Sequence, residues 1–205
     1  MKTRLTTLAA SALLLSSATA FAASSVDLTV KGLIVPSACT PSLSGGGVID
    51  HGKISAKDLL PTSEKKIGTH TLAMVVNCDA AIQFALNSID NRAASGYADF
   101  GLGFINDTQK LGRYMLTLNN PVAEGSVVVQ AIASYDQGQT WTKTNAWDPS
   151  VYMSVASMED DTMPLAVKDL NVDLLVETFI NRTDGLDLSN EVTIDGSATL
   201  EVKYL

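Results

Sequence analysis

Histidine and cysteine are scarce in this 205-residue chain, at two of each, which leaves few of the side chains that usually ligate metals. Charged residues make up only 18%, and their balance is acidic: 22 Asp and Glu against 14 Lys and Arg, a net charge of −8. The basic surface that nucleic-acid binding requires is therefore missing. No apolar run reaches the roughly 20 residues of a membrane-spanning helix. Catalytic signatures are lacking too, with no G-x-S-x-G elbow to expose a serine and no H-x-x-x-H spacing for zinc. His51 sits beside a glycine and His70 at the start of a β-rich run; without a partner motif, both read as solvent-facing or turn residues. Glu159-Asp160-Asp161 lacks the alternating ligands of a calcium loop and reads as a solvated loop tip. Gly101-Leu102-Gly103 has neither a third glycine nor a following helix, and reads as a bend or bulge in a strand. The expectation is a chain with no cofactor, no metal and no enzymatic activity.

Apolar residues, at 46%, are plentiful enough for a substantial core. The first 22 residues read as a signal peptide: Lys2 and Arg4, an apolar stretch from Leu5 through Leu15, and the small-x-small sequence Ala20-Phe21-Ala22. Cleavage there leaves 205 − 22 = 183 residues. With Lys2 and Arg4 gone, 12 basic residues face 22 acidic ones, a net charge of −10. Export changes the meaning of Cys39 and Cys78. An oxidising compartment favours joining them, and the alternative, a redox-active pair, lacks the C-x-x-C spacing.

Period-two alternation dominates the rest, as half-buried strands require. Val26, Leu28 and Val30 alternate with Asp27, Thr29 and Lys31. Further β-rich runs span Thr69–Asn77, Ile82–Asn87, Tyr114–Leu118, Val127–Tyr135, Val151–Ser157 and Val172–Ile180. In the last run Ala198, Leu200, Val202 and Tyr204 face one way and Thr199, Glu201 and Lys203 the other. Turn signals separate these runs: Ser44-Gly45-Gly46-Gly47, Ser95-Gly96, Asn119-Asn120-Pro121, Asp184-Gly185, Asp195-Gly196, and a hairpin tip at Asp136-Gln137-Gly138-Gln139. Only Ser55–Leu60, stopped by Pro61, has helical character, for a turn or two, with a loop as the alternative. Many short strands in one uninterrupted domain predict an all-β, antiparallel β-sandwich.

The two ends of the mature sequence carry the most specific signal. An extended segment, Val26 to Val35, leads through Pro36-Ser37-Ala38 to Cys39, with Gly32 in register with Val26, Leu28 and Val30. A glycine there weakens a strand unless something must approach it closely. At the other end the chain stops in mid-strand at Tyr204-Leu205. In these residues the chain resembles the subunits of bacterial chaperone–usher fimbriae, the pilins. Val26, Leu28, Val30, Gly32 and Ile34 match the family's N-terminal extension, Cys39 and Cys78 its disulfide between the first two strands, and Tyr204 its penultimate tyrosine. Asp90-Asn91-Arg92 and Leu111-Gly112-Arg113-Tyr114 are similar to uncharacterised exported proteins found with fimbrial systems.

The resemblance implies an immunoglobulin-like, pilin-type β-sandwich lacking its final strand. Residues 1–22 would be the signal peptide, 23–38 a donor-strand extension and 39–205 the body. The groove left by the missing strand would be bordered by Ala198, Leu200, Val202 and Tyr204, with the Leu205 carboxylate presented to a chaperone. The implied partners are a periplasmic chaperone, an outer-membrane usher and neighbouring subunits, and the implied location is the periplasm in transit and then the fimbrium at the cell surface. The donor of one copy would fill the groove of the next by β-strand addition, an open head-to-tail contact. From Cys78 to the end run 205 − 78 = 127 residues, longer than in the commonest rod pilins, and Met153–Met163 reads as an insertion. The alternative is a self-contained exported binding protein, a lectin-like adhesin, with Trp141 or Trp147 stacking on sugar.

Overall fold

A computed structural model of the chain describes residues 28–32 and 38–205. The chain divides into two compact units, Met1–Ile34 and Val35–Leu205. The signal peptide expected at 1–22 lies outside the described residues, as does most of the extension expected at 23–38. Of the first unit, residues 28–32 are described; they form neither strand nor helix, and Leu28 and Val30 are 88% and 85% exposed.

The second unit is all-β. Its strands of five residues or more are β1 (Cys39–Leu43), β2 (Lys65–Ile82), β3 (Phe84–Asp90), β4 (Gly112–Ala123), β5 (Gln130–Ser134), β6 (Tyr152–Ala156), β7 (Val167–Ile180) and β8 (Ala198–Tyr204). They form two main antiparallel sheets. The first runs β1–β2–β7–β4 and ends on the short strand Ala146–Trp147; the second runs from the short strand Thr142–Lys143 through β5, β6 and β3 to β8. One apolar cluster draws on both sheets, with Met74 and Val76 from β2, Leu170 and Leu174 from β7, Phe84 and Leu86 from β3, and Met153 from β6. Alternation explains which side chains enter it. Along β7, Leu170, Val172, Leu174, Val176, Thr178 and Ile180 are buried while their neighbours are not, as a strand with one covered face requires.

The expected β8, Ala198–Tyr204, forms over those residues. The run expected over Ile82–Asn87 is divided. Ile82 ends β2 in the first sheet and Phe84 begins β3 in the second, so the chain changes sheets at Gln83, whose side-chain amide donates to Pro164 O at 2.6 Å. The turn expected at Asn119-Asn120-Pro121 is a correction. These residues lie inside β4, where Asn120 takes φ +50° and the pairing with β7 jumps from Asn171 to Asp173. Two residues there face one, a β-bulge, which accommodates both the left-handed Asn and the missing Pro N–H. The real reversal follows at Glu124-Gly125, with φ +51° and +76°, where Ala123 pairs with Val127. Two left-handed residues in succession suit a tight hairpin.

Met153–Met163, expected as an insertion, divides in two. Met153 lies fully buried in β6, so that segment begins as a core strand, and only the stretch beyond Ala156 leaves the sheet. The hairpin tip after β5 forms as expected. The Asp136 carboxylate accepts from Ser134 Oγ, Thr140 Oγ1 and the backbone N–H groups of Gln139 and Thr140. Hydrogen bonds led by that of the Thr140 hydroxyl hold its pKa down to about 2. The helical stretch shrinks to one 3-10 turn, Ala56–Asp58, capped by Ser55.

Gly112 begins β4 under a steric limit. A Cβ there would lie 2.1 Å from Phe179 O and 3.0 Å from Ile180 Cα, both backbone atoms of the neighbouring β7. Gly112→Ala is expected to push the two strands apart and destabilise the chain by about 1–3 kcal/mol. Urea titration should show a lower midpoint at an unchanged m-value.

Candidate functional site

Each sheet ends in an edge strand with one side of its backbone open. Among the described residues β1 pairs with β2 alone in the first sheet and β8 with β3 alone in the second, and the two lie against each other along one side of the fold. At one end they are joined directly: the backbone N–H of Cys39 donates to Tyr204 Oη at 2.9 Å. Cys39 is held in turn by its disulfide to Cys78, the residue directly opposite it in the β1–β2 ladder. Toward the other end the edges diverge, and a groove of about 270 Å³ opens between them.

The groove floor comes from the inner face of the first sheet: Leu72 of β2, Leu116 of β4, and Leu174 and Val176 of β7. One wall is Leu43 and Ile49, at the end of β1 and in the connection that follows; the other is Ile194, Ala198 and Leu200. No inward-facing side chain of β8 is fully buried. Ala198, Leu200, Val202 and Tyr204 are all half-buried, whereas Phe84, Leu86 and Ser88 on the adjacent β3 are buried completely. A strand with a clean apolar face that stays half-uncovered is an open edge.

The far end of the groove is closed by side chains that the sequence kept apart. His70 does not start a strand; it lies five residues into β2 and faces inward. His51, in the 44–64 connection, meets it edge-on at 5.0 Å between ring centroids, and its Nε2 lies 3.1 Å from Thr178 Oγ1. Burial first, and the neighbouring His70 second, hold the His51 pKa below the ordinary histidine value, while Asp50 pulls the other way. A histidine with a depressed native pKa favours the folded state in its neutral form. Its contribution is present above pH 6.5 and is lost as the pH falls through the lowered native value.

A tight loop supports this end. Asp90 accepts from the backbone N–H groups of Arg92 and Gly101, Ser95 Oγ accepts from Gly103 N, and Arg92 pairs with Asp195 at 2.7 Å. These bonds place Leu102 and Gly196 at the groove's end beside Tyr114. Tyr114 stacks on Phe100 at 5.0 Å, and burial raises its pKa. The motifs Asp90-Asn91-Arg92 and Leu111-Gly112-Arg113-Tyr114 thus lie in or beside the scaffold of the groove.

Of the residues singled out from the sequence, Ala198 and Leu200 line the groove, Val202 packs beside it, and Tyr204 closes its base. Leu205 lies just past β8, 48% exposed, its N–H donating to Gln83 O at 3.3 Å. Val26 and Ile34 lie outside the described residues. Leu28, Val30 and Gly32 belong to the exposed stretch of the first unit. The histidine pair, Thr178 and the floor leucines were not anticipated. The floor was implicit in the alternation of β2 and β7, but the pairing of His51 with His70 depends on a loop whose path no pattern encodes. Among the described residues no three His, Cys, Asp or Glu side chains gather as a metal site, and no helix is long and apolar enough to cross a membrane.

These features define an all-β, disulfide-bonded chain with two open sheet edges flanking an apolar groove. The chain belongs to the family described as "Protein of unknown function (DUF1120)", whose pattern covers residues 28–146. Two proteins of Escherichia coli (strain K12) are similar to it over nearly their whole length. "Uncharacterized protein YhcF" is 28% identical over 222 aligned residues, covering 90% of this chain and 92% of its own. "Protein GltF" is 25% identical over 251, covering 100% and 99%.

Proposed function

We propose that this chain is a non-enzymatic structural subunit of a chaperone–usher fimbria, assembled by donor-strand exchange and contributing to cell adhesion. On this reading the second unit is an immunoglobulin-like, pilin-type sandwich lacking its final strand, and Val26–Ile34 is the strand it donates to a neighbour. The observation that carries the reading is the pair of unpaired edges, β1 and β8, on one side of the fold with an apolar groove between them. An added strand would satisfy the free backbone groups of β8 and cover Ala198, Leu200 and Val202. Main-chain hydrogen bonds would supply affinity and alternate side chains specificity. The exposed Leu28 and Val30 suit a segment kept for another copy. The partners are then a periplasmic chaperone, an outer-membrane usher and neighbouring subunits, and the route runs through the periplasm to the cell surface.

The test compares the mature chain with one lacking residues 24–34, each with and without a synthetic Val26–Val35 peptide. The shortened chain is expected to fold with its disulfide yet form no oligomers, and the peptide is expected to raise its thermal midpoint. The full mature chain, which carries both donor and groove, is expected to form oligomers when purified without a chaperone, and excess peptide is expected to suppress them. A stable monomer indifferent to the peptide would sink the reading, as would a shortened chain that cannot fold even with peptide present.

A further inference from the structure

Both histidines of the chain meet at one end of the groove. His51 reaches there from the 44–64 connection and lies over Gly68, where a Cβ would stand 2.8 Å from His51 Cε1 and 3.0 Å from His70 Nε2. Any side chain larger than hydrogen would push the rings off the sheet. The His51–Thr178 contact ties the connection down to β7, and Thr178 is only 2% exposed. The same connection carries Ile49, so the position of His51 fixes that wall of the groove. Both rings are half-buried, and His51 is in contact with the open groove space.

A strand laid into this groove removes the remaining water from His51. Desolvation penalises the charged form of a side chain, and imidazole is the group that changes charge between pH 5 and 8. The neighbouring His70, at ring-contact distance, adds to that penalty on His51. The surrounding groups do not offset this. Asp50, adjacent in the chain, is the one anion acting on His51. Lys53 and Glu191, which line an adjoining cavity that shares Ile49, His51 and Ile194 with the groove, stand 3.9 Å apart and are almost fully exposed. Thr178 is neutral.

We infer that occupation of the groove is proton-linked through His51: an apolar β-strand enters with release of a proton and is rejected in acid. The inference rests on reading the groove as a strand acceptor. It adds that the polar end of the groove makes assembly sensitive to the pH outside the cell.

The experiment titrates a fluorescently labelled Val26–Val35 peptide onto the oxidised mature chain at pH 7.5 and pH 5.0, followed by anisotropy. The peptide is expected to bind about tenfold more weakly at the lower pH, since one unit of linked pKa shift is a factor of ten. In the His51→Gln, His70→Gln double variant the difference should shrink to about twofold or less. Should that variant fold poorly, histidine Cε1–H resonances of the unaltered chain give the same answer, with the His51 titration moving to lower pH when peptide is bound. Equal or tighter binding at pH 5.0, or a His51 titration unmoved by peptide, overturns the proton linkage and leaves the acceptor reading standing. No binding at either pH overturns both.

Discussion

Replacing Cys39 and Cys78 together by serine is expected to lower the unfolding free energy by about 4 kcal/mol. The bond joins directly opposed residues of β1 and β2, with Cα atoms 3.9 Å apart, and closes a separation of 39 residues. Without it the unfolded chain gains the freedom of that whole loop, and the folded state loses the anchor of a strand with a single ladder partner. β1 has little else to hold it, since its three middle residues are exposed. The loss should also reach the groove, because Cys39 N–H is the donor to Tyr204 Oη. Tyr204→Phe isolates that contribution; it keeps the disulfide and the ring and is expected to cost about 1 kcal/mol. Urea titrations of the parent, the double serine variant and Tyr204→Phe measure both. A serine variant as stable as its parent would show that the ladder alone secures β1.

Trp147→Ala is expected to destabilise the chain by about 3–5 kcal/mol. The ring is 1% exposed, and its Nε1 donates to Val151 O at 3.0 Å. Its strand, Ala146–Trp147, closes the first sheet by pairing with β4. Truncation therefore leaves a large cavity and an orphaned carbonyl together, whereas Trp147→Phe keeps most of the packing. Such burial bears on the reading of the chain as a sugar-binding adhesin, because a glycan cannot stack on a ring it cannot reach. Trp141, half-buried beside the hairpin after β5, is the tryptophan left to that reading. Denaturation curves and glycan-array binding of both Trp147 variants decide the matter. A fully stable Trp147→Ala chain with altered glycan binding would restore a surface role.

Where a strand has one covered face and a clean flank, its residues announce it. Ala198–Tyr204 alternates without interruption, and both its limits and its inward set follow from that. The same holds for the cores of β2 and β7. What alternation does not encode is where a strand changes partners. Gln83 fits the alternation of Ile82, Phe84 and Leu86, yet the chain passes from one sheet to the other there. Asn119-Asn120-Pro121 has the composition of a turn and serves as a bulge, because the pairing of β4 with β7 outweighs local preference. Methionine marks no particular element, and the full burial of Met153 comes from neighbours in β5 and β3. The groove was legible only at its β8 border. Its floor and its histidine end are assembled from strands far apart in sequence, and a loop with little regular structure carries His51 to them.

The contact between Tyr204 and Cys39 has a metric consequence. It fixes one limit of the open edge, and Ala198 marks the other end of β8, so the edge offers seven residues of ladder. At about 3.3 Å per residue that is roughly 20 Å. β8 is thus a ruler. If the groove accepts a strand, that length bounds how many side chains the incoming strand could seat against β8, whatever the length of the segment that carries them.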